Sequence, residues 1–161
     1  MLREEGEHMK FSDIQENGWD ELRPYLDTCL LPVTGMSGAE LPWEATRELE
    51  RLRDALDLLE IPFKGRVVTY PAMHFTGTSG GGQPVLLDDV CLKLRTEAGF
   101  RYVVVVTAKT EPELPLFAAN ADLILRFGTA ELTDSPDGAK QRAAAEMASL
   151  WQRQAANHAD V

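Results

Sequence analysis

The chain has 161 residues, of which 44% are hydrophobic, enough for one domain with its own core and too apolar for a disordered chain. Its net charge of -10 at pH 7 opposes binding to DNA, RNA or anionic lipid, and the same charge also serves plain solubility. The two cysteines, Cys29 and Cys91, form no CxxC and no Cys/His cluster, which excludes a redox motif and a structural zinc site and leaves both as small core residues.

Residues 1–8 are polar and lack an apolar h-region, so they are not expected to be a signal peptide. They read as a flexible tail ahead of a single α/β domain over residues 9–157, with residues 158–161 as a frayed end. No stretch approaches the roughly 20 apolar residues of a membrane span, so a soluble, cytoplasmic protein is expected. Trp19, Leu22, Leu26 and Cys29 recur at helical spacing and predict a helix from about Trp19 to Thr28, capped by Gly18 or Asp20, with Pro24 tolerable only near its start. Cys29 to Val33 reads as a first strand, and Thr34 to Glu40 as a loop. Pro42 at the favoured first position opens the clearest helix, with Ala45, Leu49, Leu52, Leu56 and Leu59 on one stripe and a charged, solvated opposite face. Arg66 to Tyr70 is a second strand that ends at Pro71, followed by an irregular segment containing the glycine-rich stretch Gly77 to Gly82.

Val85 to Ala98 reads as a helix with Leu87, Val90, Cys91 and Leu94 on one face, stopped by Gly99. Tyr102 to Thr107 contains the run Val103-Val104-Val105-Val106, which is amphipathic at neither the helical nor the strand period. Both of its faces must be buried, as in a central strand of a parallel sheet. Glu113 to Asn120 is expected to be a short, proline-interrupted helix. Asp122 to Phe127 is a fourth strand, and Arg126 within it marks a sheet edge. Ser135-Pro136-Asp137 opens a final helix running to about Asn157, with Ala143, Met147, Leu150, Trp151 and Gln154 on one side.

This alternation predicts a three-layer α/β/α sandwich with a mostly parallel sheet of about four strands. A flavodoxin-like order 2-1-3-4 puts the valine strand inside and Arg126 on an edge, and an order 1-2-3-4 also keeps the valine strand interior.

In such sheets ligands bind beyond the carboxyl ends of the strands where the strand order reverses, here between the first and third strands. The loops there supply Thr34, Gly35, Ser37 and Gly38 on one side and Thr107 and Lys109 on the other. Glycine N–H groups, hydroxyls and one lysine suit a phosphate or carboxylate. The competing reading is two connecting loops with Gly and Ser serving turn geometry, since neither loop has the Walker or GxGxxG pattern. Tyr70 and His74 follow the second strand. His74 is placed either as a general base or, beside Met73 and Phe75, as a packing residue. Ser37, Ser79, Asp88 and Asp89 have no spacing that builds a triad, and adjacent aspartates on a helix point different ways, so no catalytic residue and no metal site is assigned.

The segments Tyr25-Leu26-Asp27-Thr28-Cys29-Leu30-Leu31-Pro32-Val33, Val68-Thr69-Tyr70-Pro71-Ala72-Met73 and Tyr102-Val103-Val104-Val105-Val106-Thr107 resemble the YpiF-like family, a small group of uncharacterised cytoplasmic proteins from spore-forming Gram-positive bacteria. The likeness spans roughly residues 9–127 and implies a bacterial protein of unknown function. No catalytic residues come with it, and the Gly77 to Gly82 stretch is not a feature of that family. The expected function is that of a non-enzymatic accessory or interaction protein with an unidentified protein partner, no cofactor, no nucleic acid and no membrane insertion. The alternative is a binder or enzyme for a small phosphate-bearing molecule, FMN or a nucleotide. Trp43, Tyr70 and Phe75 would then flank a ring, and Thr34, Ser37 and Thr107 would meet the phosphate.

Overall fold

A computed structural model describes residues 10–76 and 85–159. The N-terminal tail and the Gly77 to Gly82 stretch singled out above lie outside the described residues. Five strands form one sheet: β1 (Thr28–Met36), β2 (Val67–Thr69), β3 (Met73–Phe75), β4 (Tyr102–Thr107) and β5 (Leu123–Arg126). Every pairing is parallel, and the order is β2-β1-β4-β5 with β3 also attached to β1. This is the expected order once the extra strand is counted.

The fifth strand arises because the edge is interrupted rather than ended. β2 pairs with Thr28 to Leu30 of β1, and β3 resumes the pairing at Val33 and Met36. Between them stand Tyr70, Pro71 and Ala72, and a proline, having no N–H to give the ladder, breaks a strand without having to terminate it. Lys10 adds a single parallel bridge outside Thr69.

Two helical layers cover the sheet. On one side lie α2 (Pro42–Glu60) and α5 (Pro136–Ala159), whose Ala55, Leu59, Ala143 and Met147 pack on Leu30, Val104, Val106 and Leu125. On the other lie α3 (Val85–Thr96) and the short α1 (Glu16–Leu22), where Leu87, Cys91 and Leu94 meet Cys29, Leu31, Val103 and Val105. Successive valines of β4 therefore serve opposite cores, and all four are fully buried. Burial also pushes the Cys91 thiol up to about 11 and the Cys29 thiol higher still, as expected for core rather than reactive cysteines. The amino ends of the strands are tied by Asp27, which takes Arg66 through two nitrogens at 3.0 and 3.2 Å, and by Asp122, which accepts the Val103 N–H at 2.8 Å.

Several local expectations are corrected. α1 runs from Glu16 to Leu22 and stops ahead of Pro24, so Leu26 and Cys29 are buried from a turn and from β1 rather than from a helix face. Residues 113–120 contain turns but no helix, because Pro112 and Pro115 remove amide donors from so short a segment. A further helix, α4 (Thr129–Asp134), follows β5 and was not expected. On α2 the buried line is Leu52, Ala55 and Leu59, whereas Leu49 stays 43% exposed where the helix passes the break in the edge strand.

Candidate functional site at the carboxyl ends of the strands

β1 runs three residues past its last pairing with β4, and the strand order reverses between these two strands. β1 is irregular there, its register on β3 shifting between Val33 and Met36, and Gly35 within that stretch has a φ of +81°, which favours glycine. Leu114, from the segment after β4, lies directly on Gly35: a β-carbon on residue 35 would overlap Leu114 Cδ2. Leu114 is itself buried, so an apolar side chain closes the crevice where the fold class would place a ligand.

Three of the polar groups predicted to line that crevice, the Ser37 and Gly38 amides and Lys109, are engaged by the chain's own carboxylates. The Ser37 N–H donates to Glu40 Oε1 at 2.8 Å and the Gly38 N–H to Glu40 Oε2 at 2.9 Å. These donations, the Ser37 amide first, hold the Glu40 carboxyl below the usual carboxylate range. Lys109 Nζ lies 3.3 Å from Glu48 Oε2 on α2. In the neighbouring turn, Thr110 donates its N–H at 3.1 Å and its hydroxyl at 2.8 Å to Glu113 Oε1, which lowers the Glu113 pKa for the same reason. Thr107, fully buried at the end of β4, has a hydroxyl with no hydrogen-bond partner.

Thr34 and His74 are brought together, with Thr34 Oγ1 and His74 Nδ1 2.8 Å apart; the threonine is buried and the histidine exposed. Tyr70 is not part of that pair. It joins the core on the α3 side, edge-on to Phe100 with centroids 5.3 Å apart, and burial raises its pKa. Trp43 and Phe75, imagined as flanking one ring, are 57% and 70% exposed.

Among the described residues, open concavities lie elsewhere. A cleft of about 460 Å3 runs between α2 and the interrupted edge and contains the buried Glu60, which accepts the Thr69 hydroxyl at 2.7 Å. An apolar groove of about 450 Å3 is lined by Phe11, Trp19, Tyr70 and Phe100. A crevice of about 530 Å3 lies beyond the carboxyl ends of β4 and β5, with Arg126 in its wall.

No protein family, curated protein or solved structure matches the chain. What the surface can do is therefore decided by its geometry. Arg126 is the residue that sequence reasoning placed only as an edge marker. Its Nη1 donates inward to the carbonyls of Leu114 at 2.8 Å and Lys109 at 3.3 Å. The carboxylate caps were visible in principle, since Ser37-x-x-Glu40 and Thr110-x-x-Glu113 both have the spacing at which a side chain turns back on a local amide. The closure by Leu114 has no such local signal.

Proposed function

We propose that this chain is a non-enzymatic accessory protein of the bacterial cytoplasm, a flavodoxin-like body that docks a protein partner with the carboxyl-end face of its sheet. One observation carries this reading: Leu114 closes the crevice suited to a phosphate at Gly35, and the Ser37 and Gly38 amides and Lys109 are engaged by Glu40 and Glu48. The same end of the molecule leaves large apolar side chains exposed, Leu41 and Trp43 where α2 begins, Phe75 at the end of β3 and Leu86 in the first turn of α3. Large side chains of this kind at a rim of polar residues suit protein contact, with aromatic residues as its anchors.

The test has two arms. p-Benzoylphenylalanine incorporated at position 43 or 75 should trap the same protein in host cells, and incorporated at position 25 or 61, at the opposite end, should not. A thermal-shift screen of nucleotides, FMN and sugar phosphates should leave the melting temperature unmoved. A phosphate compound at 100 times its dissociation constant would stabilise by about 2.7 kcal/mol, a shift of several degrees at this chain length. Such a shift, or equal trapping from both ends, overturns the proposal.

A further inference from the structure

The crevice beyond β4 and β5 differs from the closed one beside it. Arg126 pairs with Thr107 across the sheet, and its guanidinium is half-buried under the segment that follows β4. Among the described residues no carboxylate oxygen lies within 4 Å of it, whereas the other partly buried arginines, Arg51, Arg66, Arg95 and Arg142, each have one. Two backbone carbonyls hold one of its nitrogens, so the plane of the fork is fixed, while Nε and Nη2 make no bond to a described residue. Desolvation lowers its pKa and Glu111 raises it, so Glu111 is near without being an ion-pair partner. A fixed, partly desolvated guanidinium with free donors in a concavity is a carboxylate receptor.

The surrounding charge narrows the ligand. Glu113 is turned onto Thr110, and Glu131 is held by Arg142 through two bonds of 2.9 and 2.7 Å. Their charges remain in the wall and repel a phosphate dianion, and Arg126 repels a simple cation. Glu111 is left facing the crevice with no carboxylate-bound cation of its own among the described residues. The arrangement therefore suits a ligand that carries one negative and one positive group close together, since Glu111 is near enough to act on the Arg126 charge.

We propose that this crevice binds a free α-amino acid, its carboxylate on the Nε and Nη2 edge of Arg126 and its ammonium against Glu111. Both sites lie at the carboxyl ends of the strands, but the crevice shares no residue with the exposed apolar group Leu41, Trp43, Phe75 and Leu86, so either proposal can fail without the other.

The experiment is amide NMR of the full chain titrated with each of the twenty standard amino acids, and with propionate and alanine methyl ester as the carboxylate and the ammonium alone. At least one amino acid should give saturable shifts confined to residues 108–114 and 126–131, and neither half-molecule should do so at the same concentration. Arg126→Gln should abolish the shifts. Because that variant also loses two carbonyl contacts, Glu111→Gln is the sharper test: its substitution is at the surface, its melting temperature should not move, and its affinity for the amino acid should fall at least tenfold. No saturable response from any amino acid, an equal response to propionate, or undiminished affinity in Glu111→Gln overturns the proposal.

Discussion

Gly35→Ala tests the closure of the central crevice directly. The substitution has two separable costs. Residue 35 has φ +81°, and placing a β-carbon in that left-handed region costs about 1–2 kcal/mol. The new carbon would also overlap Leu114 Cδ2, with two further atoms of that side chain at 3.2 and 3.3 Å. Leu114 is only 5% exposed, so it can yield only by repacking, at about 1–3 kcal/mol. The single variant should therefore lose about 2–5 kcal/mol, or about 2–4 °C in melting temperature for each kcal/mol. Leu114→Ala alone should cost about 2–5 kcal/mol through its cavity. In that background the steric part vanishes, so Gly35→Ala should cost only the backbone share, leaving a favourable coupling of about 1–3 kcal/mol in a double-mutant cycle. Urea denaturation of the four proteins measures it. Equal cost in both backgrounds would mean that Leu114 does not sit on Gly35, and the closed crevice would have to be abandoned.

Three further outcomes follow from the same geometry. Val104→Asp should leave no cooperative unfolding transition by circular dichroism, since a carboxylate buried without a partner costs several kcal/mol against a total of about 5–15. Glu40→Ala should free the Ser37 and Gly38 amides, so sulfate at constant ionic strength should raise the melting temperature of the variant more than that of the parent; equal responses would mean that the glutamate does not block an anion. Glu40, Glu113 and Glu131 all have folded-state pKa values depressed by donated hydrogen bonds, so the stability they supply is present above the unfolded value of about 4.3 and lost as pH falls through their folded values; the urea midpoint should fall below about pH 4, and less steeply in Glu113→Gln.

The parts of the fold legible in the sequence are those where one period extends over many residues. The valine run of β4 has no amphipathic solution and so had to be central, and Leu87, Cys91 and Leu94 repeat often enough to orient α3. What escaped was short or long-range. β3 is three residues, Met73–Phe75, too few to show alternation, and only its pairing with Val33 and Met36 makes it a strand. α4 covers Thr129–Asp134 and is held by tertiary contact with Arg142, which binds Glu131, rather than by a strong local pattern. Arg126 was readable as an edge residue, and β5 is an edge, but the inward turn of its guanidinium depends on carbonyls brought over it by a separate segment.

That segment links the two crevices. The Leu114 side chain rests on Gly35 and closes the space between β1 and β4, while the Leu114 carbonyl, on the opposite side of the same residue, holds Nη1 of Arg126. The Leu114 amide is in turn tied to the Thr110 carbonyl at 3.0 Å, which anchors the backbone at this residue. One residue therefore shuts the position favoured by the fold class and orients the cation in the position next to it. A bulky residue at 35 that pushes Leu114 away would release both contacts together. Leu114→Ala would release only the first, since a backbone carbonyl survives the loss of its side chain. The Arg126 crevice is thus built on the main chain, and it should tolerate changes in the core beneath it better than the apolar closure beside it does.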